Sequence, residues 1–215
     1  MTTIPTTLMT ASEFWDWVHL PENRDRHFEL ERGKVVEVSC PGEVHGVVCA
    51  NASWILGGYI RQRRKGYACA NDTGIIWEWE PDTVKGPDVV FYDKNQSFGE
   101  LYPKWTEEVP VLLIEVRSPN DRMSKINRRI DRFLTWGVSL VWLVDPKGQT
   151  VTVYRQDQPP EVLESDQELT GGDILPDFRC PVAEFFFMPG EANGGTAPPA
   201  SSSSKPRKRQ RRSSR

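Results

Sequence analysis

No stretch of this chain approaches the roughly 20 consecutive apolar residues of a membrane-spanning helix, so a transmembrane protein is not expected. The opening "MTTIPTTLMTASEF" has neither a basic start nor an apolar middle, and a secretory leader is not expected either. Cysteine is scarce, and Cys40, Cys49, Cys69 and Cys180 show no Cys-x-x-Cys spacing. Reduced thiols in a cytoplasmic protein are therefore expected, rather than a zinc site or a disulfide framework. There is no internal repeat, and no base-reading module of a familiar kind can be recognised.

What is present is a core and an uneven charge. The chain has 215 residues, 38% of them hydrophobic, with 8 Trp and 9 Phe, enough for one domain with a real interior. Its net charge of -3 hides an asymmetry. Seven of the 27 basic residues and only one of the 30 acids lie beyond residue 189, which leaves an acidic body and a strongly basic end. The segment "PGEANGGTAPPASSSSKPRKRQRRSSR" has no aromatic residue and cannot bury enough apolar surface to offset its ordering entropy. A folded domain over residues 9–188 and a disordered basic tail over 189–215 are expected. Within the tail, Lys205, Arg207, Lys208, Arg209, Arg211 and Arg212 are candidate nucleic-acid contacts, acting through phosphate charge without sequence preference.

Along the body, Thr10 with Glu13 reads as a capping box that opens a short helix. "HFELERGKVVEVS" alternates on both sides of Arg32-Gly33, as a hairpin does. Residues 44–60 place Val44, Val47, Val48, Ile55, Leu56 and Tyr59 on one helical face. "TGIIWEWE" alternates as a half-buried strand, whereas "PDVVFY", "VLLIEV" and "SLVWLVDP" are nearly continuous apolar runs that suit strands buried on both faces. Between the last two, Met123, Ile126, Ile130, Phe133 and Leu134 recur at helical spacing, with Gly137 as a stop. Strand, helix and strand predict a right-handed crossover between parallel strands. The fold class is therefore α/β, a mixed central β-sheet flanked by helices, with an N-terminal helix and β-hairpin. His45 reads as an N-terminal-turn or packing residue of the second helix rather than a ligand, Asp121 as an N-cap and Asp145 as a turn residue.

Two carboxylates stand out. Asp88 in "KGPDVVFY" and Glu115 in "LLIEVRS" sit within or at the end of apolar strands, where a bare charge is costly without a cation. Converging from neighbouring strands, they would form the oxygen-lined site that Mg²⁺ requires. For either one alone, a salt bridge or a place just outside the sheet is the simpler reading.

Pro87-Asp88 followed by Glu115-x-basic resembles the PD-(D/E)XK nuclease signature. The ordered blocks "HFELERGKVVEVS", His45, "GPDVVF", "LLIEVRSPND", "WGVSLVWLVDP" and "TVTVYR" resemble the Uma-type restriction endonuclease family. The resemblance implies a restriction-endonuclease-like core and Mg²⁺-dependent hydrolysis of phosphodiester bonds, with Mn²⁺ as a substitute. By position, it implies metal ligands at Asp88, Glu115 and the Val116 carbonyl, and an N-terminal site acid at Glu29. The superfamily's lysine, two residues after the Glu, is Arg117 here, and the alternative position eight residues before Gly137 is Arg129. Lys125 lies one turn earlier on the same stripe as Arg129 and Arg132. Three possibilities stay open: Lys125 substitutes by reach, Arg129 serves electrostatically, or turnover is weakened. The alternative function is a catalytically degenerate nuclease fold that binds nucleic acid through its tail. DNA is the expected partner, and a homodimer is a candidate assembly, since enzymes that cut duplexes are commonly two-fold dimers.

Overall fold

The structure, a computed structural model, describes residues 4–190. The basic cluster Lys205, Arg207, Lys208, Arg209, Arg211 and Arg212 lies outside the described residues.

Helix α1 (Ala11–Val18) opens on the expected capping box. The Thr10 hydroxyl accepts from the Glu13 amide at 3.2 Å, and the Glu13 carboxylate accepts from the Thr10 amide at 2.8 Å. Strands β1 (His27–Glu31) and β2 (Lys34–Val38) form the expected hairpin. Its turn residues Arg32 and Gly33 have φ of +49° and +75°, the backbone that matches the twist of tightly joined strands.

Helix α2 (Glu43–Arg63) buries Val48, Ala52, Leu56 and Tyr59. Val44, expected on that face, is 65% exposed, because the first turn overhangs a core cluster that begins at Val48. Then come β3 (Tyr67–Ala70), β4 (Ile75–Glu78), β5 (Thr83–Lys85), β6 (Val89–Tyr92) and β7 (Leu112–Val116). Helix α3 (Met123–Trp136), β8 (Leu140–Asp145), β9 (Thr150–Arg155), β10 (Glu161–Leu163), β11 (Glu168–Gly171) and β12 (Leu175–Pro181) follow.

Six strands form the central sheet in the order β10-β9-β8-β7-β6-β3. A second sheet runs β2-β1-β5-β4, and β11 pairs with β12 alone. β7 and β8 are parallel with α3 as their crossover, while the other pairs of the central sheet are antiparallel. The fold is therefore the expected mixed α/β architecture. One face of the sheet packs on α2, with Ile114, Trp142, Phe178 and Phe185 among the buried residues. The other packs on α3, where Ile126, Ile130 and Phe133 meet Leu113, Val141 and Trp77. Along β7, Leu112, Ile114 and Val116 belong to the α2 side and Leu113 to the α3 side. The period of two aims Glu115 at α3 from the strand's end.

Two local expectations are corrected. β4 is buried on both faces rather than half-buried, because Ile75 and Trp77 join the α3 core while Ile76 joins the cluster under α1. Asp121 is not an N-cap: Arg122 holds that place without a side-chain bond, and the Asp121 carboxylate accepts from the Ser118 amide at 2.9 Å, closing the preceding turn. Among the described residues no helix is long and apolar enough to cross a membrane.

Candidate active site

β5 ends at Lys85 and β6 begins at Val89, so Gly86, Pro87 and Asp88 carry the chain from the second sheet into the central one. The crossing is tight. A Cβ on Gly86 would lie 2.5 Å from the Asp72 carbonyl oxygen, so only glycine lets these backbones approach. β6 and β7 run antiparallel, with Val89 facing Ile114 and Val90 facing Leu113. One further step of that register sets Asp88 across from Glu115. The Val116 amide donates to Asp88 Oδ2 at 2.6 Å and ties the two strand ends together.

Glu115 is 6% exposed, one of few charged residues in the interior. Its Oε2 accepts from the Arg129 guanidinium, which reaches down from α3. Burial pushes the Glu115 carboxyl well above the usual carboxylate range. Arg129 opposes the shift, and the carboxylates of Asp88, Glu29 and Asp121 reinforce it. Glu115 in turn holds the Arg129 guanidinium more firmly protonated. Arg129 Nε is buried without a hydrogen-bond acceptor among the described residues.

Glu29 reaches the same region through β5. Leu30 of β1 faces Val84 of β5, and the neighbouring pair brings Lys85 Nζ to 2.8 Å from Glu29 Oε2 and 3.5 Å from Glu31. From α2, His45 Nε2 lies 3.3 Å from Asp88 Oδ1, while its Nδ1 lies 3.4 Å from Cys49 Sγ. The contacts with Asp88 and then Cys49 lift the His45 pKa to about 10, against burial.

The other basic candidates go elsewhere. Arg117 turns to Asp145 Oδ2 at 2.5 Å, bracing the ends of β7 and β8 rather than meeting Glu115. Asp145 also accepts from the Lys147 amide at 3.0 Å and so fixes its turn as expected. Lys125 is exposed and its side chain has no ion-pair partner among the described residues. Arg132 pairs with Glu78 and lies 4.9 Å over the Trp77 ring. Of the stripe Lys125, Arg129 and Arg132, it is Arg129 that meets Glu115.

Sequence reasoning missed two members of the cluster. Lys85 gave no local signal, because its partner is set by pairing of β1 with β5 across 56 residues. His45 did carry one: its spacing from Cys49 places both on one side of a helix. The oxygen donors fit a hard divalent cation such as magnesium. Two carboxylates face each other across adjacent strands, and burial of Glu115 favours its neutral form, a balance that a bound cation would tip toward the ionised one. Asp88, Glu115 and the Val116 carbonyl are the groups that could hold it.

No curated protein matches this chain. Solved structures do, among them the crystal structure of a putative nuclease belonging to DUF820 from Anabaena variabilis ATCC 29413. That chain is 22% identical, with a TM-score of 0.68 over 83% of this chain and 97% of its own. The likeness establishes the fold as the restriction-endonuclease-like one expected from the sequence. The profile of the Uma2 family, described as "Putative restriction endonuclease", matches residues 12–183, most of the length, and the chain belongs to that family.

Proposed function

We propose that this protein is a magnesium-dependent nuclease hydrolysing phosphodiester bonds of DNA, with manganese as a substitute cation. One observation carries the reading: Glu115, 6% exposed, stands across a strand pair from Asp88, with Arg129 its one ion-pair partner among the described residues. Buried negative charge of this kind is costly unless a cation completes it. When bound, the ion would polarise the scissile phosphate and lower the pKa of a water.

The chain's own groups supply the rest. Arg129 keeps its proton at any working pH, so it offsets charge growing on the phosphate and does not abstract a proton. His45, with its pKa lifted to about 10, is cationic at neutral pH and steadies Asp88 from the α2 side. Lys85 orients Glu29 from the second sheet. Arg117 takes no part in the chemistry and keeps the end of β7 against β8 through Asp145.

The test is nicking of supercoiled plasmid in Mg²⁺ and in Mn²⁺. The wild type nicks; Asp88→Ala and Glu115→Gln fold, by circular dichroism, and do not. Nicking that survives both changes overturns the reading.

A second reading is favoured by one observation: arginine stands at both places where the family's lysine is expected, and Lys125 is exposed and makes no ion pair with Glu115. It makes the chain a degenerate nuclease fold that binds nucleic acid through its basic tail. It predicts salt-sensitive DNA binding without strand scission in either metal, with scission appearing in Arg129→Lys if a lysine amine is the missing group.

A further inference from the structure

Beside the oxygen-lined carboxylates lies a second donor set of different chemistry. One ligand atom each from His45, Cys49 and Asp88 falls within 4.8 Å of the others. The first two share one side of α2 at a spacing of four residues, and Asp88 comes from the junction between the two sheets. All three line a cavity of about 280 Å³, with Ser53, Asn71 and Asp72 also in its wall. There is room beside them for water and for entry of an ion.

We propose that His45, Cys49 and Asp88 form a binding site for a borderline-soft divalent cation, zinc in particular, separate from the magnesium set and sharing Asp88 with it. An imidazole nitrogen, a thiolate and one carboxylate oxygen are the donors zinc takes and magnesium refuses. Tetrahedral zinc with bonds of about 2.0–2.3 Å holds its ligand atoms roughly 3.3–3.8 Å apart. The three ligand atoms lie within 4.8 Å of one another, somewhat wider than that spacing; the shorter contacts involve opposite ring nitrogens, Nε2 with Asp88 at 3.3 Å and Nδ1 with Cys49 at 3.4 Å. Binding draws the three ligand atoms together around one His45 ring nitrogen. Three protein ligands leave the fourth position to water from the cavity, the arrangement of an exchangeable rather than a structural zinc. On binding, the Cys49 thiol and the His45 imidazolium each give up a proton, and the thiolate and one imidazole nitrogen take the metal.

Asp88 cannot serve both ions fully, so zinc in this site withdraws it from the magnesium set. The consequence, inhibition of cleavage by zinc in the presence of excess magnesium, rests on the nuclease reading above; the binding itself does not.

Cobalt(II) titrated into the wild-type protein is the test. The expected result is intense visible bands of four-coordinate cobalt with a near-ultraviolet thiolate charge-transfer band, both bleached by zinc. Cys49→Ser removes the charge-transfer band, while Glu115→Gln and Cys69→Ser keep it. Should Cys49→Ser fail to fold, zinc protection from alkylation in the wild type decides: Cys49 becomes protected and the exposed Cys40 does not. A missing charge-transfer band, or absent protection of Cys49, overturns the site. Cobalt bands in a protein that cleaves nothing in any metal sink the nuclease reading and leave the site standing.

Discussion

Arg129 and Glu115 set the electrostatics of the candidate active site between them. Removing the arginine leaves a buried carboxylate without its cation, a change that costs several kcal/mol in full burial. Arg129 is itself 39% exposed, so a discounted figure of about 2 kcal/mol is expected for Arg129→Met at pH 8. The cost depends on pH with a definite sign. The folded Glu115 carboxyl binds its proton more tightly than the ordinary value of 4.5 allows. Its favourable contribution is therefore complete below that value and is lost as pH rises through the raised folded one. Denaturation midpoints of the metal-free protein should fall from pH 5 toward pH 8, more steeply in Arg129→Met and less steeply in Glu115→Gln. Parallel pH profiles for all three proteins would show that Glu115 is not the titrating group. Magnesium should flatten the wild-type profile by favouring the ionised carboxylates.

At the scale of elements, the segment between β5 and β6 does the positioning. It joins the two sheets, and at Gly86 it packs tightly against Asp72 in the link between β3 and β4. An alanine there pushes against the Asp72 backbone at 2.5 Å, which cannot yield as a flexible side chain would. Gly86→Ala should cost about 1–3 kcal/mol and displace Asp88 from its place opposite Glu115. Cleavage should then drop more than tenfold at temperatures where the variant is fully folded. A variant with a lowered melting temperature but wild-type nicking would show that Asp88 is positioned from β7 alone, through the Val116 amide. The helix α3 makes the complementary contribution: Ile126, Ile130 and Phe133 seat it on the sheet, and Arg129 is carried into reach of Glu115 by that packing.

For the molecule as a whole, the difficulty is charge. The residues up to 189 hold 20 basic and 29 acidic side chains, a poor surface for a polyanion, while the tail holds seven basic residues and one acid. Deletion of residues 201–215 should weaken DNA binding most at low salt. It should also reduce the dependence of log affinity on log salt by up to about 0.9 for each phosphate contact removed. Binding with an unchanged salt slope after the deletion would assign the DNA contacts to the body instead. The fold should be indifferent to the deletion, since the core ends at Phe185.

Much of this was legible in the residues alone. The capping box, the hairpin, the buried runs and the crossover follow from local spacing and hydrophobic period, which act within a few residues and override little else. Asp88 and Glu115 were legible too, because a charge inside an apolar strand is anomalous wherever the strand goes. The partners were not. That Lys85 meets Glu29, that Arg117 turns away to Asp145, and that Arg129 rather than Lys125 reaches Glu115 depend on strand pairing and on the seat of α3. In sequence, His45 is a first-turn or packing residue and Cys49 a plain thiol; the packing of α2 against the junction that carries Asp88 brings them together. Sequence determined which residues carry unusual chemistry, since that is a property of each side chain and its neighbours in the chain. Tertiary structure decided which of them meet, because ion pairs and ligand sets form over distances of a few ångströms between residues far apart in sequence.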